Sequence, residues 1–147
     1  MKATVTRAGT LRQSVKIREH QLTVDEPTDQ GGDDSGPSPQ ELLAASLASC
    51  TAITIEMYAK RKGWNIGEVE VDVDYEPAQR GSPTKFHQVI RLPKELPEDQ
   101  RERLMQIAAK CPVHRTLEGE VMFDEEVEPG DSERALDEMR AAGVKVT

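Results

Sequence analysis

Residues 42–55, LLAASLASCTAITI, run fourteen positions with no Asp, Glu, Lys, Arg or His in a chain of which 31% is charged. Ser38 followed by Pro39 and then Glu41 is the pattern of a capped helix start, in which serine and glutamate each satisfy the other's free backbone amide. At the far end Lys60, Arg61 and Lys62 precede Gly63, which suits the negative pole of a helix and a left-handed cap. These signals predict one long helix over 39–62. Leu43, Leu47, Cys50, Thr54 and Met57 form one stripe, and Leu42, Ala45 and Ile53 continue the apolar surface around the side. A helix apolar on every side must be enclosed on every side. A domain with two further helices and a sheet does not supply that much cover, so a partner subunit is expected to complete the burial.

Strict alternation marks the strands. EVEVDVDYE (68–76) sets Val69, Val71, Val73 and Tyr75 against acids, and KFHQVIRL (85–92) reads as its antiparallel neighbour across a PAQRGSP loop. Three shorter runs near the start, ATVTR, SVKIR and HQLTV, are separated by Gly9-Thr10 and Arg18-Glu19 and predict two or three antiparallel strands. DEPTDQGGDDSGPSP (25–39) reads as a loop from its Gly, Pro, Asp and Ser content. LPEDQRERLMQIAAK (96–110) predicts a second helix with Leu104, Ile107 and Ala108 inward. Proline disfavours helical backbone in the residue before it, so this helix should stop by Cys111, which is then placed to cap a short turn, PVHRTL. EVMFDEEV (120–127) predicts a last strand, and the tail (129–147) a short amphipathic helix over SERALDEMRAAG. The fold class is α+β, in one domain spanning 1–147.

Charge narrows the partners. Nineteen Lys and Arg against 27 Asp and Glu leave a formal net charge of −8, with the acids dispersed. A phosphate backbone or an anionic membrane needs a basic footprint, so neither nucleic acid nor membrane is expected. The fourteen-residue uncharged run is short for a bilayer span. The N-terminus shows no export signal, so a cytoplasmic location is expected, where two cysteines serve as free thiols or a transient redox pair more readily than as a structural disulfide.

Those two cysteines are the candidate chemistry. Only a thiolate is nucleophilic, and the apolar middle of a helix should raise the pKa of Cys50 unless a cation is brought to it; Arg7, Arg12, Arg18 and Arg115 are the candidates. Cys111, at a cap with His114 and Arg115 one turn on, has the better local setting. Both also suit small core residues. Cys111 and His114 would give a metal two ligands, but Cys50, His20 and His87 show no paired ligand spacing, so no metal site is expected. Glu41 is accounted for by the capping box, and nine residues turn it to the face opposite Cys50, about 13 Å away along the axis.

GPSPQELLAASLASCT (36–51) and AAKCPVHRTL (108–117), with the order of elements, resemble the OsmC/Ohr family of hydroperoxide-reducing proteins over about residues 3–127. DEP…GG…GPSP…ELL and CPVH are most similar to the branch of OsmC-related proteins of unsettled function. The resemblance implies an OsmC-like fold and an intertwined homodimer with the long cysteine helices at its centre. It implies a peroxidatic role for Cys50 and a resolving role for Cys111, a small organic hydroperoxide as substrate, an external dithiol as reductant and no cofactor. The family peroxidases place a glutamate ten residues before the first cysteine to hold an arginine over the thiolate. Here that position is Gln40, and Arg12, with Arg7 next, is the candidate arginine. The alternative implied function is a non-catalytic dimer that binds a small apolar or electrophilic ligand in the same cleft.

Overall fold

The computed structural model describes residues 1–128 and 138–143. The elements follow in the order β1 (Thr4–Arg7), β2 (Gln13–Ile17), β3 (His20–Val24), a 3-10 turn (Thr28–Gln30), α1 (Pro39–Lys62), β4 (Glu70–Glu76), β5 (Lys85–Arg91), α2 (Glu98–Ala108) and α3 (Pro112–Glu118). The strands form two separate antiparallel sheets, β1-β2-β3 and β4-β5.

α1 begins and ends where its caps put it. Ser38 Oγ accepts from the Glu41 amide at 3.2 Å while Glu41 Oε1 accepts from the Ser38 amide at 2.9 Å. At the other end Gly63 takes φ 71°, and the Trp64 amide donates to the Ala59 carbonyl at 2.9 Å. The buried face is Leu47, Thr51, Ile55, Tyr58 and Ala59. This differs from the expected stripe: Leu47 belongs to both, but Leu43 and Met57 are 37% and 67% exposed. An all-round apolar helix carries no preferred side, so the sequence does not say which face its own protomer covers. α1 is long and apolar enough to cross a membrane by length and composition, although its uncharged run alone is not; here one face packs on β4, α2 and α3.

β4 and β5 pair in the register Val71↔Ile90, Val73↔Gln88, Tyr75↔Phe86. Those six residues form the half-buried inner face toward α1, and Tyr75 stacks on Phe86 with centroids 4.9 Å apart. Outward-facing Asp72 accepts from Arg91 Nη1 at 2.7 Å. The core joins Ile55, Tyr58 and Ala59 of α1 to Leu104, Ile107 and Ala108 of α2, with Ile66 and Leu96 closing its edge.

The 25–39 loop is built around one carboxylate. Asp25 is buried and accepts from the amides of Glu26 (2.8 Å), Asp33 (3.3 Å) and Ser35 (3.1 Å), and from the Ser35 hydroxyl. These donors, Ser35 foremost, hold its carboxyl below the usual range despite the opposing effect of burial. Gly32 and Gly36 lie so close to the carbonyls of Glu26 and Thr23 that a Cβ at either would collide with backbone oxygen.

Two expectations change at the C-terminal end. The strand expected over 120–127 does not form: 120–126 join no strand, and Val121, Met122 and Phe123 stand 55%, 95% and 83% exposed. An apolar strand needs a partner strand, and 120–126 pair with none of the described ones. Of the expected tail helix, 138–141 are helical and 142–143 form a turn; 132–137 lie outside the described residues.

Candidate active site

Cys50 sits midway along α1, half-buried, and Cys111 is fully buried at the start of α3; both are free thiols. The elements bring them together because Pro112 ends the α2 segment and starts α3 at once, turning Cys111 onto the middle of α1. Cys111 caps α3, its Sγ accepting from the His114 amide at 3.4 Å. The Val113 amide and the Cys111 thiol both act on Cys50, which makes the two thiols neighbours. Two sulfurs sixty-one positions apart in sequence thus share the first turn of one short helix.

The balance of influences on Cys50 is unfavourable to thiolate. Burial pushes its pKa up, as does hydrogen bonding with Cys111, and the Val113 amide and Thr54 hydroxyl oppose this only in part. None of the groups acting on it is a cation. Arg12 is instead folded back onto its own turn, Nη2 donating to the Ala8 carbonyl at 2.8 Å, and Arg7 Nε donates to the Gly9 carbonyl at 2.8 Å. The β1-β2-β3 sheet that carries both makes no substantial contact with α1. Glu41 is engaged in the capping box, and Gln40 beside it is exposed, so neither approaches the sulfurs.

Two concavities lie near the thiol pair, lined in part by residues close in sequence to the two cysteines and not by the sulfurs. One, of about 250 Å³, is lined by Leu47, Phe86, Gln88, His114 and Leu117 among others. There the Thr51 hydroxyl donates to Gln88 Oε1 at 2.9 Å, and His114 Nε2 pairs with Glu118 at 2.9 Å while its buried Nδ1 has no partner among the described residues. The other is an open groove of about 850 Å³ between α1 and α2, starting at Thr54 and Pro112. Sequence reasoning missed Thr54 and Val113 as donors to Cys50; their helical spacing from the two cysteines, i+4 and i+2, was the available signal. No cluster of three or more His, Cys, Asp or Glu able to hold a metal occurs among the described residues.

A long helix and a Cys-Pro turn that present paired thiols beside an antiparallel hairpin define an α+β dithiol protein. Residues 32–126 match the family model described as OsmC-like protein, and the chain belongs to that family. It is 30% identical over 130 residues to an uncharacterized protein of Acinetobacter baylyi, covering 86% of this chain and 89% of that one. A protein of Psychrobacter arcticus assigned to osmotic stress and detoxification response superposes with a TM-score of 0.68 at 28% identity, over 79% of this chain and 87% of that one. The organic hydroperoxide resistance protein OhrB of Bacillus subtilis shares the fold with a TM-score of 0.56 at 23% identity, over 82% and 93% of the two chains.

Proposed function

We propose that this protein is a thiol-dependent peroxidase acting on small organic hydroperoxides. The observation that carries the reading is that the Cys50 and Cys111 thiols are neighbours at the head of α3, each close enough to influence the other. Cys50 thiolate attacks the terminal peroxide oxygen; the O–O bond breaks, sulfur becomes a sulfenic acid, and the alkoxide takes a proton and leaves as alcohol. The Cys111 thiol then displaces water from the sulfenic acid to form the disulfide, and an external dithiol returns the pair to thiols by exchange, itself becoming a disulfide. No prosthetic group takes part. A reducing compartment such as the cytoplasm suits a pair that cycles this way.

A cation has to reach Cys50, because burial and Cys111 hold its pKa high in the single protomer. We assign it to homodimer formation: the N-terminal sheet, with Arg12 and Arg7, is the arginine-bearing element left unpacked and is free to cover a second copy. The similarity to the organic hydroperoxide resistance protein of Bacillus subtilis supports the reaction class. Turnover of cumene or tert-butyl hydroperoxide in a dithiol-coupled assay tests the proposal; no activity above a Cys50→Ser control ends it.

The raised Cys50 pKa also favours a second reading, a dimer that binds a small apolar or electrophilic ligand without turning it over. Alkylation of Cys50 by iodoacetamide as a function of pH separates the two. A pKa well below the ordinary thiol value of about 8.5 supports the enzyme, and one at or above it supports the binder.

A further inference from the structure

Cys111 has a proton to lose and no water to give it to. Its side chain is fully buried, yet in the resolving step its sulfur reacts as the thiolate. Cys50 is its neighbour but is the electrophile in that step. The first side chain along α3 able to accept a proton is His114, whose amide donates to Cys111 Sγ at 3.4 Å.

Two observations set the state of the His114 ring. Nε2 lies 2.9 Å from Glu118 Oε1, one turn on, so in the neutral imidazole Nε2–H is donated to the carboxylate and Nδ1 is left as the bare acceptor. That Nδ1 is the one side-chain nitrogen or oxygen among the described residues that is buried without a partner. Buried polar atoms are satisfied almost everywhere, and an exception beside a reactive pair calls for a chemical reason. Gln88, which lines the same 250 Å³ concavity, already accepts from Thr51. Glu118 is the one carboxylate among the described residues lining it. The side chains of His114 and Glu118 are 27% and 65% exposed, so the pair runs from the buried cysteine out to solvent.

Nucleophile, base and a group that orients the base are the parts of an activated thiol. We propose that His114 is the general base of the resolving step and that Glu118 is its positioning residue. Cys111 gives its proton to Nδ1, directly or across one water. Its sulfur attacks the Cys50 sulfenic sulfur, the S–S bond forms as the S–O bond breaks, and the proton on Nδ1 goes to the departing hydroxide, which leaves as water. The inference rests on the peroxidase reading and adds a residue that acts after the peroxide has been cleaved.

The test follows a single turnover of the reduced full-length protein with cumene hydroperoxide, trapping sulfenic acid with dimedone and counting disulfide by mass. His114→Ala removes the ring and keeps the backbone amide that holds Cys111. Disulfide formation should slow by about a hundredfold, with the sulfenic-acid step changed far less, and added imidazole should restore it in proportion to its neutral form. His114→Gln keeps a donor for Glu118 but accepts no proton; it should lose as much, and it decides if the alanine variant does not fold. Glu118→Gln should give a smaller loss that imidazole leaves unchanged. A disulfide step within about threefold of native in the His114 variants, or a slow step in His114→Ala that imidazole does not rescue, overturns the proposal. Should no sulfenic acid form in the native protein, the peroxidase reading fails separately, and dithiobis(nitrobenzoate) decides. Cys50 then takes one thionitrobenzoate as a mixed disulfide, and Cys111 expels it with its proton again passing to His114. A second release that is slowed in His114→Ala and rescued by imidazole sustains the assignment, and equal second releases reject it.

Discussion

At the scale of single residues, the chemistry turns on what surrounds two sulfurs. Cys111 raises the pKa of Cys50 through its hydrogen bond and its charge, so replacing it should lower that pKa. Cys111→Ala is expected to shift the pH profile of Cys50 alkylation to lower pH, with peroxide-dependent disulfide formation abolished; an unmoved profile would show that the thiols do not touch in solution. Asp25 makes a prediction of opposite sign in acid. Its folded pKa lies below the unfolded value near 3.9, so its contribution is present at neutral pH and lost as pH falls through the folded value. Asp25→Asn should therefore lower the urea midpoint at pH 7 and lose less than the native protein on acidification below pH 4. The two cysteines were legible in the sequence as unusual local contexts. Asp25 was not, because its donors lie up to ten residues away and a loop composition does not say which acid becomes the hub.

At the scale of elements, the caps were readable and the buried faces were not. Ser38, Glu41 and Gly63 fix both ends of α1 through local hydrogen bonds, which depend only on neighbours in sequence. The buried side of α1 depends on β4, α2 and α3, and a helix apolar all round leaves that choice to tertiary contacts. Alternation fixed β4 and β5 because half the residues are acids or bases that must face water. The strand expected at 120–127 failed for the complementary reason: its pattern is right, but a strand exists only when it pairs, and 120–126 lie against no described strand. Leu104 of α2 is fully buried against α1. Leu104→Ala should cost about 2–5 kcal/mol in chemical unfolding. Gly32→Ala forces a Cβ onto the Glu26 carbonyl; loss of about 1–3 kcal/mol is expected, as for overpacking. A neutral effect would mean that the loop around Asp25 relaxes freely.

At the scale of the whole molecule, one protomer leaves too much of itself in water. Its accessible surface is 11513 Å², whereas a folded monomer of 16.3 kDa exposes about 7,500 Å². The excess is apolar where it counts: Leu43, Ile53 and Met57 line the open face of α1, and Val121, Met122 and Phe123 stand clear of any sheet. Patches of this extent mark interfaces, and among the described residues the β1-β2-β3 and β4-β5 sheets both end in unpaired edges. In the proposed mechanism dimerisation covers these surfaces and also delivers the cation that Cys50 lacks. Ile53 is 54% exposed in the protomer and lies about one helical turn from Cys50. Ile53→Glu should shift the species in light scattering from twice 16.3 kDa to the single chain, with the Cys50 pKa rising and peroxide turnover falling together. A native protein that runs as a monomer, or a dissociated variant with undiminished turnover, would separate the thiol chemistry from the second copy and return the search for the cation to the single chain.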